Sequence, residues 1–261
     1  MTLTHSAGRG SRKGLLLAAL ILLGWLITLI GLLSFDLSLV AGPRILIAAA
    51  LALLLRTLLQ TGLFIIGHDA MHGVLIPHAR RWNDRLGALA LALYAALPYR
   101  ACRRNHQRHH RCTASADDPD FHPEPGAGFL AWYARFMAGY LSAAQMGRLL
   151  ASWSLLALLA RGLSPTGPLN VLLFCTLPLL LSSLQLFGFG TYLPHRGQRS
   201  CQRRAAAAAP ASLNLPGWLS LLACFHFGYH LEHHQNPGLA WFELPEQRRR
   251  RLALAPAGAP V

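Results

Sequence analysis

Charge is scarce in this chain of 261 residues: 13% of its residues are charged and 53% are hydrophobic, where a soluble domain carries about 25% charge. That shortage excludes an ordinary soluble domain and points to one membrane-embedded domain over 1–261. Lysine is nearly missing. The 24 basic residues are 23 arginines and Lys13, set against ten acids for a net charge of +14. In a soluble protein such an excess would indicate nucleic acid. Here the arginines lie between apolar runs, where the charge asymmetry of membrane loops accounts for them, so no nucleic-acid partner is expected. The five cysteines (Cys102, Cys112, Cys175, Cys201 and Cys224) form no C-x-x-C pair, which argues against a cysteine zinc site or a disulfide frame. The absence of H-E-x-x-H likewise argues against a zinc peptidase.

What is present is apolar length. Residues 15–33 carry no charge over 19 positions, close to the roughly 20 needed to cross a bilayer. The run exceeds a signal-peptide core and no small-residue cleavage site closely follows it, so it reads as a retained first span. Residues 45–66 form a second span, interrupted by Arg56, and 169–189 a fourth. The third, at 145–160, is short; it extends back through 129–143 or lies partly in the interface. Runs at 86–98 and 213–225 fall below span length and read as interfacial or re-entrant helices. Residues 199–216 read as a loop or loosely helical insert, and 246–261 as a flexible tail. The fold class is therefore all-α integral membrane, with four transmembrane helices. The loops at 34–44 and 161–168 contain only Arg44 and Arg161, which places nearly all other basic residues, and both chain termini, in the cytoplasm.

Histidine is concentrated in three boxes, HDAMH at 68–72, HQRHH at 106–110 and HFGYHLEHH at 226–234. The topology puts all three on the cytoplasmic side. Residues three and four apart share a helix face, so His68 with His72, His106 with His109 and His110, and His230 with His233 and His234 each converge. Eight imidazoles are too many for one ion, since a tetrahedral site takes four. Two metals are the economical answer, and histidine-rich ligation without thiolate fits a cytoplasmic di-iron cap. His195 follows the fourth span and enters the same site as a ninth ligand. His226, one turn before His230, is a tenth ligand, a water-mediated one or a hydrogen-bonding support. Asp69, Asp118, Asp120 and Glu232 are candidates to receive the second N–H of ligating imidazoles, whereas Asp117 reads as part of a solvated acidic turn. His5, His78 and His122 read as packing or interface residues. Thr57 and Thr61 lie within about 20° of His68 on a regular helix, a polar stripe running towards the metals. Arg56 must face the bundle or an aqueous cavity.

The boxes HxxxH, HxxHH and HxxHH between paired spans resemble the membrane fatty acid desaturase superfamily. Within it, HDAMHG, DDPDFH, FGTYLPHR and FHFGYHLEHH are most similar to bacterial β-carotene ketolases, from about residue 60 to 245. The resemblance implies a non-haem di-iron oxygenase of the cell inner membrane. It would convert the C4 methylene of a β-ionone ring to a ketone by two hydroxylations and a dehydration. It further implies O2 as co-substrate, a carotenoid arriving from the membrane lipid, and electrons from a ferredoxin-type carrier. The implied ligands are His68, His72, His106, His109, His110, His195, His230, His233 and His234. A fatty-acyl desaturase or lipid hydroxylase of the same superfamily is the alternative, and histidine at 226 favours the ketolase. Two departures from the ketolase pattern are the QNPG that follows the third box and the Arg/Ala-rich stretch at 199–211. A non-catalytic metal carrier is disfavoured because transporters place their ionisable groups near the bilayer midplane, not beyond the span ends.

Overall fold

Apolar periods of helical length dictate an almost wholly helical chain, and the computed structural model has this form over the residues it describes, 4–39, 42–124, 126–197 and 210–254. In chain order its helices are α1 (Thr4–Ser34), α2 (Pro43–His72), α3 (Arg80–Ala95), α4 (Tyr99–Arg111), α5 (Phe129–Tyr140), α6 (Ala143–Leu163), α7 (Gly167–His195), α8 (Gly217–Cys224), α9 (His230–Gln235) and α10 (Leu244–Leu254). Four of them, α1, α2, α6 and α7, are long and apolar enough to cross a membrane. They contain the runs expected at 15–33, 45–66, 145–160 and 169–189 and extend beyond each. Their outward faces expose large apolar side chains such as Leu20, Ile27, Leu51, Leu158 and Leu180, a surface that lipid covers and water does not.

Local chemistry sets the helix ends. Pro43 opens α2, where its missing N–H is no loss. Gly73 closes it in the left-handed region at φ 78°, directly after His72. Ser142 caps α6 by accepting from the Gln145 N–H at 3.2 Å, so the third span starts at 143 and the stretch before it forms the separate helix α5. Helix α7 widens into π turns at Leu172–Thr176 and Gly188–Tyr192, each ending two residues before a proline, Pro178 or Pro194. A proline ring removes one N–H and crowds the carbonyl four residues back, and the wider turns accommodate both effects. The Phe174 carbonyl, which Pro178 cannot serve, accepts instead from Arg56 Nε at 2.9 Å. Arg56 Nη1 also donates to Trp25 O at 2.7 Å and Thr28 Oγ1 at 3.1 Å. The arginine thus ties α1, α2 and α7 together inside the bundle.

Two ends of the bundle can be told apart. At one, the loops after α1 and α6 are joined: Asn170 Nδ2 donates to Leu32 O and Phe35 O at 2.8 and 2.6 Å, and Leu37 N donates to Thr166 Oγ1 at 3.0 Å. At the other, Lys13 lies 4.8 Å from the Phe242 ring, the Trp241 N–H donates to Asp69 Oδ2 at 3.4 Å, and α3, α4, α9 and α10 gather around the ends of α2 and α7. Gly87 allows α3 to press on α2, since a Cβ there would stand 2.4 Å from Ala70 Cβ.

Two expectations are corrected. Residues 246–261 were expected to form a flexible tail, yet 246–254 are helical in α10 because Glu232 holds them: Arg251 Nε donates to that carboxylate at 2.7 Å and Arg248 lies 3.7 Å away. Residues 255–261 lie outside the described residues. The run at 213–225 is not one helix. Residues 210–216 are extended, with Leu213 N donating to Gly228 O at 2.7 Å, and only α8 is helical. Of the insert expected at 199–216, residues 199–209 lie outside the described residues.

Candidate metal centre

Each box reaches the site on a different element. His68 and His72 stand on the last two turns of α2, and His106, His109 and His110 on α4. His195 ends α7, three residues after its second π turn. His230, His233 and His234 make up half of the six-residue α9. The turn before α9 places Phe225 and His226 at φ 46° and 66°, a conformation that costs about 1–2 kcal/mol per non-glycine residue. This turn reverses the chain after α8, and Phe227 then packs its ring 4.4 Å from that of His68.

The imidazoles form two groups of four, in each of which the ligand atoms lie within 4.8 Å of one another: His68, His72, His106 and His233, and His109, His195, His230 and His234. His110 lies between them. Its Nε2 is 3.1 Å from that of His106 and 2.9 Å from that of His233, and its ring stacks on His234 at 4.2 Å. Further Nε2 pairs stand 2.6 Å apart (His72 and His106), 3.0 Å (His109 and His234) and 3.1 Å (His230 and His234). Ligands about 2.1 Å from one ion are separated by this kind of distance. The residues present therefore fit two ions, with His110 within reach of both groups. All nine histidines singled out in the sequence are brought together here.

Electrostatics agrees with ligation. Burial, reinforced by neighbouring imidazoles, pushes His106, His230, His233 and His234 well below the ordinary imidazole value and His110 down to about 2. These rings are neutral, the form that binds metal. His109 differs: burial pulls it down, but its bond to Asp118 and the charges of Asp120 and Asp118 outweigh that and raise it. Its Nδ1 stands 2.8 Å from Asp118 Oδ1, which leaves Nε2 to face the site. Asp118 also accepts from the Ala114 and Asp120 N–H groups.

The other acids divide. Asp120 Oδ2 is 4.0 Å from His109 Nδ1, and burial lifts this carboxyl to about 6 against the pull of His109. Asp69 Oδ1 lies 3.7 Å from His68 Nδ1. Asp117 pairs with Arg108 at 3.0 Å on the exposed surface. Glu232 was expected to support an imidazole; it instead accepts from Ser212 and Arg251 and pairs with Arg248, because on the short α9 it points opposite to the histidines. His226 is corrected too. It is not on the helix of His230, and its ring stacks on Tyr229 and Trp241 at 5.7 and 6.1 Å. The hydroxyls of Thr57 and Thr61 both donate to carbonyls one turn back in α2, and that of Thr61 also contacts Ser182 and Gln185 of α7, so Thr61 joins the two helices.

Sequence reasoning missed the walls. A cavity beside the histidines is bounded by His68, His106, His109, His230, Asp120 and Tyr140. A neighbouring apolar cavity includes Leu97, Tyr133, Met137, Leu149 and Trp153. Both share Phe64, Phe136, Tyr140 and Leu186. The aromatic spacing of α5, at 129, 132, 133, 136 and 140, was the available signal.

Residues 43–261 match the fatty acid desaturase family. The chain is 41% identical to a zeaxanthin 4-ketolase of Chlamydomonas reinhardtii over 76% of its own length and 44% of that protein's. It is 37% identical to a beta-carotene ketolase of Haematococcus lacustris, covering 81% of this chain and 65% of the relative. It is 40% identical to a beta-carotene ketolase of a Paracoccus strain, over 80% and 82% respectively. The chain thus spans roughly half to two thirds of these algal relatives and most of the bacterial one.

Proposed function

The chain belongs to the fatty acid desaturase family, and from that membership we propose that it is a di-iron carotenoid ketolase acting at C4 of a β-ionone ring. The observation that carries this reading is the placement of two four-histidine groups, with His110 between them, beside an aromatic-walled apolar cavity. The names of the three relatives support the substrate class.

The nine histidines would hold two irons, which when bound supply the reductive activation of O2. Each oxidation consumes one O2, two electrons and two protons, turns one C4–H into C4–OH and releases one water. After two rounds the geminal diol loses water to leave the ketone. The electrons come from a one-electron carrier of ferredoxin type. Asp118 holds His109 as the tautomer with a proton on Nδ1, a task that supports ligation. Phe64, Phe136 and Leu186 exclude water between the two cavities and orient an apolar ring. Tyr133 is held to Ser183 at 2.6 Å, which keeps its hydroxyl satisfied on the wall where a polyene would lie. The one domain carries spans and histidine cap together, in a cell inner membrane with the histidines and both termini in the cytoplasm.

Pigment analysis of a bacterial host that accumulates β-carotene and expresses this chain tests the reading. Products that gain one oxygen and lose two hydrogens per ring are expected. Unchanged pigment alongside iron-loaded, membrane-inserted protein would overturn it and direct attention to acyl lipids.

A further inference from the structure

Where the two cavities meet, the shared wall is made of Phe64, Phe136, Leu186 and Tyr140. Three of these offer no polar side-chain atom. The fourth offers one, and it is already oriented: the Tyr140 hydroxyl donates to Asp120 Oδ1 at 3.2 Å. A phenol whose hydrogen is committed to a carboxylate retains oxygen lone pairs and accepts from a third group. The ring of Tyr140 packs on Phe136 at 4.9 Å, and Asp120 is fixed in turn by its backbone N–H on Asp118 at 2.9 Å and its carbonyl on Trp132 Nε1 at 2.9 Å. The acceptor is therefore built into a rigid corner, beside the histidines yet outside both four-histidine groups.

An unsubstituted β-ionone ring has no polar atom for such a corner. The once-oxidised ring has one, a hydroxyl on C4. We propose that Tyr140, backed by Asp120, accepts a hydrogen bond from the C4 hydroxyl of the once-oxidised ring and so positions that carbon for its second oxidation. This rests on the ketolase reading. A wholly apolar wall would hold the hydroxylated ring no better than the starting ring, and an alcohol would leave the site. The corner makes the intermediate the better-bound of the two, which selects ketone over alcohol as the product. Tyr140 is on this account a positioning residue.

Tyr140→Phe removes one oxygen and leaves the ring on Phe136. Two readouts test it. In the carotenoid-producing host, the ratio of 4-hydroxy to 4-keto rings is measured together with iron per protein. The ratio is expected to rise about fivefold, the worth of one hydrogen bond, at unchanged iron content. In purified protein loaded with zinc in place of iron, quenching of tryptophan fluorescence reports ligand binding, since Trp153 lines the apolar cavity. The unsubstituted protein is expected to bind 4-hydroxy-β-carotene about fivefold more tightly than β-carotene, and Tyr140→Phe to bind the two equally.

An unchanged hydroxy-to-keto ratio in a host where the unsubstituted protein makes ketone overturns the inference and leaves the ketolase reading standing. So does a loss of iron that accompanies lower turnover at constant ratio, which would make Tyr140 only a strut for Asp120 and His109. No ketone from the unsubstituted protein would instead sink the ketolase reading, and this inference with it. If Tyr140→Phe does not insert, Asp120→Ala tests the same pair, an asparagine there still being able to accept the phenol hydrogen. Releasing the phenol hydrogen from its carboxylate is expected to raise the ratio in the same direction, and an unchanged ratio there again overturns the inference.

Discussion

Asp117 and Asp118 are neighbours in sequence with opposite tasks. The side chain of Asp117 is 76% exposed and pairs with Arg108, whereas that of Asp118 is 0% exposed and holds His109 Nδ1. Partners of this kind tune metal affinity about 10–100-fold. Asp118→Ala is therefore expected to weaken iron binding within that range, read as iron retained against a competing chelator, while Asp117→Ala leaves it unchanged. Equal retention by both variants would remove Asp118 from the support of the site. The sequence reading separated the two, Asp117 in a solvated turn and Asp118 in support of an imidazole, but the composition DDPD signals polarity and not direction. The direction is set by Ala114 at φ 58°, whose N–H binds Asp118. The same limit applies to Glu232 and His226. Each sits inside a histidine box, but α9 is too short and its approach too sharply turned at Phe225 and His226 for helical periodicity to place them.

At the scale of elements the spans were legible because apolar length is a property of composition. The i, i+4 spacing of His68 and His72, and the i, i+3, i+4 spacing of the other two boxes, was legible for a related reason: one helical turn fixes it locally. The break at 141–142 and the π turns of α7 were not, although the Ser142 cap and the prolines that set them are local. The bonds of Arg56 were not because its partners are distant in sequence. Arg56 and Pro178 illustrate this, being coupled through the Phe174 carbonyl. Arg56→Met is expected to destabilise the detergent-solubilised protein by about 3 kcal/mol, through loss of its hydrogen bonds to Phe174 O, Trp25 O and Thr28 Oγ1. Pro178→Ala restores an N–H that can reach Phe174. In the Arg56→Met background it is expected to recover about 1 kcal/mol, a coupling that a double-mutant cycle on unfolding isolates. Strictly additive effects would show that Arg56 does not answer for the proline.

For the whole molecule, the placement of charge and of histidine gives two independent constraints on one topology. The loops after α1 and α6 are hydrogen-bonded to each other at one end of the bundle. The start of α1, the histidines and the segment around Trp241 and Phe242 meet at the other. Four crossings return the chain to the side it began on, and the arginine-poor loops fall opposite the arginine-rich elements α3, α4 and α10, where a positive-inside bias puts the outside. On the proposed function, a proton- and electron-consuming site at the arginine-rich end would face the compartment that holds reduced carriers. Ser38 lies in the first of the poor loops, whereas Cys112, at the end of α4, is partly exposed at the histidine end. A membrane-impermeant thiol reagent applied to intact spheroplasts should therefore label Ser38→Cys and leave the unsubstituted protein unlabelled, and permeabilisation should expose Cys112. Labelling of the unsubstituted protein in intact cells would invert the topology. It would then separate the histidines from any cytoplasmic electron donor, so the orientation and the proposed chemistry stand or fall on the same measurement.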